Sequence, residues 1–375
     1  MRDPITLATD SQGKQYSLPS LRRSPGRTLV TAYECYDSST NEYAIYVRTS
    51  CKHGFEWNAP QKVLGKDCGP HLPDEWTQSV LQGKDILGYS RPSFIIDMMT
   101  GRITLMSSVV FAQDKDDHVL YMVASSSDDE GETWQHCDVT TQVTGASEWC
   151  MKYGFPGHGI QLRQGVLTGR LIQPASIVDS EGKRKFVALC SDDQGITWWT
   201  SQPAGNDIDG AGLIELSDGQ LMIKSGGIGR CLRIFSQDGG RTWVNPLIEE
   251  GEDHSLCSSA VDRVFPCAPP ASQQAKCAAY PTLAPDTHTI ATVRGSFDDG
   301  KTWTVSEDFA YGPVRHPDIC AMPDLRLIAL VYESGEGIDF THICLDDLEM
   351  RDLAYGWNER TRDQDDMLRE MGFIS

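Results

Sequence analysis

The sequence predicts an all-β protein built from repeated hairpin units, and three observations lead to this prediction. The pattern Ser-x-Asp-x-Gly-x-Thr-Trp occurs four times, and repeats spaced by several tens of residues indicate an array of similar units. A short apolar, β-rich run precedes each copy, and an extended segment follows it. The copies span Ser127–Trp134, Ser191–Trp198, Ser236–Trp243 and Ser296–Trp303, with a weaker copy at Ser50–Trp57.

Each position of the repeat suits a β-hairpin. The Asp accepts hydrogen bonds from turn N–H groups, and the Gly takes the positive φ angle that a tight turn requires. The Trp buries its ring on the inner face of the hairpin while its indole N–H finds a partner. The repeat therefore predicts a structural turn in each unit. The β-rich runs that precede the four copies are Leu120–Ala124, Phe186–Leu189, Leu232–Phe235 and Ile290–Val293.

This repeat is the Asp-box, and the chain resembles the sialidase (neuraminidase) superfamily of Asp-box β-propellers. Further segments resemble strands of that family, and together they cover most of residues 10–345. The resemblance implies a six-bladed β-propeller over residues 1–347, followed by a polar tail over residues 348–375 that we predict to be helical. The resembling segments are Tyr16–Leu21, Arg91–Asp97, Thr100–Ile103, Gly157–Leu162, Gly169–Ala175, Leu213–Gly219 and Val331–Glu333.

Composition limits the possible partners. A net charge of −20 argues against nucleic acid and anionic membranes as ligands. No apolar run approaches a membrane span, and the first 25 residues lack a signal-peptide pattern. We therefore predict a cytoplasmic protein, or a secreted one whose signal has been removed. The resemblance makes a carbohydrate, either a glycan or a small acidic sugar, the expected ligand.

The twelve cysteines are scattered without C-x-x-C pairs. This spacing supports neither a zinc site nor a disulfide framework, so we predict mainly buried free thiols. Cys257, Cys267 and Cys277 share one loop region and could pair in an oxidising compartment. Because the sequence also lacks metal-ligand spacing and a nucleotide-binding Gly loop, no metal or cofactor is predicted.

In the sialidase family, the ends of the inner strands meet in a funnel that holds the active site. Three arginines there bind the substrate carboxylate, beside a Tyr–Glu pair and an acid/base Asp. The resemblance aligns the arginines with Ser17, a position near Gly226 and His288, the Tyr with His316, and the Glu with Gly210. Asp37 aligns with the acid/base Asp. A bidentate Arg clamp is what grips a sialic-acid carboxylate. Because the aligned positions do not hold the three arginines, ordinary sialic acid is not the expected substrate.

The polar residues that stand at or near these positions form the predicted site. Asp37 and Asp209, the latter beside Asp207, are the candidate carboxylate pair, and His316 is the third candidate catalytic residue. The predicted substrate-binding residues are Arg91, His288, Ser17, Lys224, Arg230 and His158. Arg91 and His316 each precede a proline, which predicts extended backbone at both.

Three functions fit these residues. The first is an exo-acting glycoside hydrolase that acts on an acidic sugar. The second is a polysaccharide lyase or sugar-acid enzyme in which His316 or His288 is the base and Arg91 neutralises a uronate carboxylate. The third is a non-catalytic carbohydrate-binding protein that stacks sugars on Trp76, Trp149 or Trp199. Because fold does not fix function, the repeats discriminate among none of these. Family membership places the hydrolase first.

Overall fold

The regular secondary structure of the described part of the chain is almost entirely β-strand, which confirms the predicted all-β class. Its other elements are a short helix, Thr140–Thr144, and two single-turn 3₁₀ helices, Gly165–Leu167 and Pro323–Leu325. None of these helices is long and apolar enough to span a membrane. The computed structural model describes residues 3–70, 85–112, 121–144, 150–153, 157–178, 181, 183–205, 212–227, 230–244, 247–249, 260–264, 278–283, 290–296, 298–303 and 305–345.

The strands group into six units that follow one another along the chain. Units 1 and 2 share one sheet, in which a single parallel bridge between Tyr43 and Gly88 joins them. Unit 1 contains β2 (Lys14–Arg23), β3 (Leu29–Asp37), β4 (Glu42–Ser50) and β5 (Gln61–Leu64). Unit 2 contains β6 (Ile86–Ile96), β7 (Ile103–Phe111), β8 (Met122–Ser127) and β9 (Gln135–Asp138).

Units 3 to 5 each form a separate antiparallel sheet. Unit 3 contains β10 (Cys150–Tyr153), β11 (Ile160–Gln161), β12 (Leu171–Val178), β13 (Arg184–Ser191) and β14 (Trp199–Thr200). Unit 4 contains β15 (Gly212–Glu215), β16 (Leu221–Gly227), β17 (Arg230–Ser236) and β18 (Leu247–Glu249). Unit 5 contains β19 (Asp262–Arg263), β20 (Ala278–Leu283), β21 (Ile290–Ser296) and β22 (Val305–Tyr311).

Unit 6 combines the two ends of the described chain. Its strands β23 (Arg315–Met322), β24 (Leu327–Ser334) and β25 (Gly337–Cys344) pair in sequence order. The first strand, β1 (Ile5–Thr9), pairs antiparallel with β25 and becomes the fourth strand of this sheet. The beginning of the chain is thereby fastened to its last described sheet.

Buried apolar clusters join neighbouring units. One cluster lies between each unit and the next, and another joins unit 6 back to unit 1. Because side chains alternate across a strand, each sheet offers apolar residues on both faces to its two neighbours. In the order of the units, the six clusters contain Val30 and Phe94, Met122 and Leu189, Ile172 and Ile223, Met222 and Val261, Val293 and Leu330, and Leu21 and Leu327.

Each Ser-Asp-Gly-Thr-Trp repeat forms a tight turn at the end of a strand. In the first copy, the Oγ of Ser127 accepts the N–H of Gly131 at 2.9 Å, and Oδ1 of Asp129 accepts the N–H of Thr133 at 2.9 Å. The other three copies have the same bonds. The turn glycine has a positive φ angle in every copy, +92° at Gly131. Hydrogen bonds from the Thr133 hydroxyl, the Thr133 N–H and the Ser127 hydroxyl hold the pKa of Asp129 at about 2, below its usual value.

Gly337 permits the pairing of β1 with β25, and this leads to a prediction. Its φ angle is +139°, and a Cβ added there would lie 2.0 Å from the carbonyl oxygen of Ala8 in β1. Gly337→Ala should lower the free energy of unfolding by about 2–3 kcal/mol, because strain and overpacking add together. Gly312→Ala is the matched control, since Gly312 also has positive φ but a Cβ there meets nothing within 4 Å. Urea denaturation of both variants measures the difference, and equal losses would contradict this role of Gly337.

Candidate functional site

Three strands that begin units carry a β-bulge at the same point. The register shifts between Ser17 and Ser20 in β2, between Ser90 and Ser93 in β6, and between Arg315 and Asp318 in β23. In each bulge, the residue before a proline has a positive φ angle. The three residues are Leu18 (+51°), Arg91 (+59°) and His316 (+44°).

These angles correct the expectation that the backbone is extended at Arg91 and His316. The backbone of both residues is in the left-handed helical region. The proline that follows each of them normally disfavours helical conformations at this position. Strain of this kind costs about 1–3 kcal/mol per residue, and it persists only where surrounding contacts impose it. Strained backbone concentrates at active sites and ligand-binding sites, so the three bulges mark a candidate site.

Two buried glutamates hold the bulges together. Glu34 on β3 accepts hydrogen bonds from the Ser17 hydroxyl at 3.3 Å, from the Ser90 hydroxyl, and from the Arg91 N–H at 3.2 Å. Glu333 on β24 accepts the N–H of Leu18 at 2.7 Å. We call the resulting group the bulge cluster; it comprises Ser17, Leu18, Glu34, Ser90, Arg91, His316 and Glu333.

His316 and Glu333 form a dyad within the bulge cluster. Nδ1 of His316 lies 2.8 Å from Oε1 of Glu333, and the histidine side chain is 45% exposed whereas the glutamate side chain is 10% exposed. In the tautomer with the proton on Nδ1, the carboxylate orients the ring and Nε2 is available to accept a proton. A histidine oriented by a carboxylate is a common arrangement for general acid–base catalysis.

A buried polar network lies next to the bulge cluster, two to four residues further along the same strands. Oδ1 of Asp318 lies 2.6 Å from Nδ1 of His158, and Oδ2 accepts the N–H of Leu21 at 2.8 Å and the hydroxyl of Ser20 at 3.3 Å. Burial raises the pKa of Asp318, but His158, Arg22 and the Leu21 N–H outweigh it and hold the pKa below its usual value. The carboxylate therefore stays ionised, and its hydrogen bonds connect units 1, 3 and 6.

The structure brings three of the predicted site residues into one cluster, namely Ser17, Arg91 and His316. His158 is adjacent, but it is buried against Asp318. Asp37 lies at the end of β3, where its Oδ1 accepts the N–H of Ser39 at 3.0 Å. The side-chain and backbone hydrogen bonds of Ser39 lower the pKa of Asp37. Within the described part of the chain, Asp37 makes its hydrogen bonds to Ser39 in its own turn and none to the bulge cluster.

Other predicted residues lie in packing positions or outside the described residues. Lys224 is 1% exposed, with Nζ 5.1 Å from the centre of the Trp303 ring. The ring of Trp199 is covered by the guanidinium groups of Arg170 and Arg241 at 5.0 and 5.1 Å. Arg230 begins β17, but its side chain is not described. The remaining predictions lie outside the described residues: Asp207, Asp209, His288, Trp76, Trp149, Cys257, Cys267, Cys277 and the tail over 348–375.

The sequence reasoning did not select Glu34 or Glu333. Each is a carboxylate within or directly after an apolar strand, Leu29–Cys35 for Glu34 and Leu327–Tyr332 for Glu333. A glutamate on a buried strand is rarely left unpaired. The position of each glutamate within or directly after an apolar strand could therefore have predicted a buried polar site.

Seven cysteines in the described part of the chain are free thiols; of these, Cys51 and Cys137 are exposed and Cys68 is half-buried. Cys35, Cys190, Cys320 and Cys344 are buried, and burial raises the pKa of the Cys190 and Cys320 thiols to about 12. Over the described ranges, no group of three or more His, Cys, Asp or Glu side chains is arranged to hold a metal ion.

Comparison with known proteins identifies the family. A family model described as "BNR repeat-like domain" matches residues 74–327, more than half of the chain. The chain therefore belongs to the BNR repeat-like family and has the fold of the sialidase superfamily, which confirms the resemblance seen in the sequence.

Three similar proteins illustrate this membership. The chain is 30% identical over 350 residues to a sialidase of Micromonospora viridifaciens, a match that covers 88% of this chain and 51% of that protein. The Hadza microbial sialidase Hz136 matches in structure with a TM-score of 0.70 at 21% identity, over 89% of this chain and 66% of that one. The intramolecular trans-sialidase from Ruminococcus gnavus, solved with oseltamivir carboxylate, matches with a TM-score of 0.68 at 16% identity, over 89% and 95%. The chain thus spans about half the length of the Micromonospora sialidase.

Proposed function

We propose that this protein is an exo-acting glycoside hydrolase that acts on an acidic sugar, with the bulge cluster as its active site. The observation that carries the proposal is that two carboxylates bind three strained bulges, two of which contain Arg91 and His316. Glycosidic bonds are the target that the sialidase relatives suggest.

We also propose that the six units form a six-bladed β-propeller. Two observations support this arrangement: the apolar clusters run from unit to unit and return from unit 6 to unit 1, and β1 completes the sheet of β23–β25. In a propeller, the strands that begin the units line the central axis. That geometry is consistent with bulges from β2, β6 and β23 meeting at one site.

The proposed reaction adds water across the glycosidic bond. The His316–Glu333 dyad takes a proton from water, whose oxygen bonds to the anomeric carbon as the glycosidic bond breaks. A carboxylic acid supplies a proton to the leaving oxygen. Asp209 remains our candidate for that acid, because the lowered pKa of Asp37 does not suit a proton donor. Glu34 positions Arg91 and Ser17 through the hydrogen bonds described above. Arg230 and His288 remain proposed substrate-binding residues, whereas Lys224 and His158 are buried and are not proposed to contact the sugar.

The dyad also supports a second candidate, a lyase. A histidine held by Glu333 at 2.8 Å is suited to removing the proton α to a uronate carboxylate. Loss of the leaving oxygen from the β-carbon would then give an unsaturated sugar that absorbs ultraviolet light.

Two parallel assays separate these functions. The chain is incubated with aryl glycosides of sialic acid, related nonulosonic acids, uronic acids and neutral sugars, and with acidic polysaccharides. We expect aryl release from an acidic sugar. Unsaturated product without aryl release would favour the lyase, and sugar binding without either product would leave a non-catalytic binding protein.

Arg91→Ala should weaken the use of acidic sugars specifically. The variant keeps the main-chain N–H that Glu34 accepts, so it removes the side chain beyond Cβ without removing this hydrogen bond. A charged hydrogen bond contributes about 1.5–3 kcal/mol, which predicts a KM raised about 10- to 150-fold for the acidic aryl glycoside. Arg102→Ala is the control, because Arg102 pairs with Asp128 on the surface of the same unit. An unchanged KM in Arg91→Ala would remove Arg91 from substrate binding.

A further inference from the structure

A cavity lies at the end of the innermost strands of the units that is opposite to the bulge cluster. It has a volume of about 330 Å³ and is lined by residues of all six strands β2, β6, β11, β15, β19 and β23. On β2 the lining begins at Arg22, five residues beyond Ser17. At about 3.3 Å per residue, this distance along the strand is about 16 Å, so the cavity is separate from the bulge cluster.

The lining of the cavity is rich in arginine. Five arginines line it, whereas the lining carboxylates are Glu215, Asp262 and Asp324. Among the lining residues, arginines therefore outnumber carboxylates by two, although the net charge of the chain is −20. The five are Arg22, Arg23, Arg27, Arg163 and Arg263, and we call the space the arginine cavity.

Carboxylates pair with several of these guanidinium groups, and Arg263 lies 3.6 Å from Asp299, which is outside the lining. Asp324 serves both Arg23, through two hydrogen bonds, and Arg27, at 3.8 Å. The carboxylate of Glu215 accepts the main-chain N–H groups of Arg163 and Gln164, at 2.9 and 3.1 Å. Main-chain N–H groups therefore compensate part of the charge of the Glu215 carboxylate.

Arg22 gives an independent indication of a ligand. The residue is 9% exposed; one of its terminal nitrogens donates to Asp262 at 3.0 Å and the other to the carbonyl of Ile319 at 3.2 Å. Its Nε is buried and has no hydrogen-bond partner among the described residues. A buried donor without a partner costs about 1–3 kcal/mol, so the Arg22 side chain would gain from turning its Nε toward an anionic oxygen in the cavity.

The lining of the arginine cavity also includes apolar residues. Ile96, Ile160, Leu213 and Ile214 are four of them, which we call the apolar wall, and exposed Met98 is another. The rim also includes Arg27, whose side chain is 69% exposed, so the space opens to solvent there. Its volume lies within the range of small-molecule sites, about 300–1,000 Å³.

We propose that the arginine cavity binds a small organic anion. Its carboxylate or phosphate group lies among the arginines, and its hydrocarbon face packs against the apolar wall. This site is independent of the proposed hydrolase site, so either can fail without the other.

Benzoate and phenyl phosphate are suitable probes, with benzamide as the neutral comparison. Ligand-detected NMR on the full chain should show binding of the two anions and at least tenfold weaker binding of benzamide. The double variant Arg27→Gln/Arg163→Gln, which cancels the charge excess through two exposed residues, should weaken anion binding at least tenfold. Arg102→Gln/Arg241→Gln, with the same change in net charge elsewhere, should bind as the wild type does.

Hydrogen exchange of the unmodified chain locates the probe without relying on any variant. Benzoate should protect the segments around residues 22–27 and 320–324. Protection confined to the bulge cluster, equal binding of benzamide, or full binding by the Arg27/Arg163 double variant would each overturn the proposal. Binding of only one of the two anions would identify the preferred head group.

Discussion

Replacing Glu333 with glutamine should reduce kcat for glycoside hydrolysis by about 10²- to 10⁴-fold, the range that general acid–base catalysis contributes. The amide oxygen of glutamine can still accept the N–H of Leu18, so the bulge in β2 should persist. The amide cannot stabilise the charged ring that forms when His316 accepts a proton. Initial rates on the best aryl glycoside, measured across pH, test this expectation.

Two features distinguish catalysis from a structural role in this experiment. Glu333→Gln should lower kcat while its urea midpoint stays close to that of the wild type, whereas a structural defect would lower both. Glu336→Gln is the matched control, because Glu336 lies three residues away on an exposed turn. A Glu333→Gln variant with the wild-type kcat and pH profile would exclude the dyad from the reaction.

Replacing Asp318 with alanine should lower the free energy of unfolding by about 3–5 kcal/mol, the usual effect of removing one partner from a buried charged network. The Asp318 carboxylate accepts hydrogen bonds from Ser20, Leu21, His158 and Ile319. All four lose their acceptor together in the variant. Urea denaturation measures the loss, and a loss below about 1 kcal/mol would contradict the role of this network.

Asp318→Asn separates the charge of this side chain from its shape. The pKa of Asp318 lies below its unfolded value of 3.8, so its stabilisation is fully present above that pH and is lost as pH falls through the folded pKa. Asparagine has no such titration. The acid side of the stability curve should therefore be flatter in Asp318→Asn than in the wild type, as measured by urea midpoints at successive pH values.

Local patterns were sufficient to predict the hairpin turns. In each repeat, the bonds among Ser, Asp, Gly and Thr join residues at most four positions apart. Such bonds depend on the sequence of the turn itself, so the residue types already specify them.

The backbone at Arg91 and His316 was mispredicted for the opposite reason. The local rule for a residue before proline favours an extended chain, but Glu34 binds the Arg91 N–H from 57 positions away in the sequence. Glu333 likewise binds the Leu18 N–H from 315 positions away. Only the tertiary fold brings these partners together, so no local window of sequence contains the information.

The position of the Lys224 side chain could not be predicted from local sequence either. A lysine on a strand suggests a charge that faces solvent or substrate, but this one is buried against the Trp303 ring of the next unit. The repeat predicted that Trp303 would be buried. It did not predict which neighbour would cover the ring.

The central claim is that the bulge cluster hydrolyses glycosides of an acidic sugar. Its most direct test is the turnover of one acidic aryl glycoside by the wild type, Arg91→Ala, Glu333→Gln and the controls Arg102→Ala and Glu336→Gln. We predict turnover by the wild type and both controls, a raised KM in Arg91→Ala and a strongly reduced kcat in Glu333→Gln. Wild-type turnover that neither cluster variant changes would contradict the claim, as would the absence of aryl release from every acidic sugar tested.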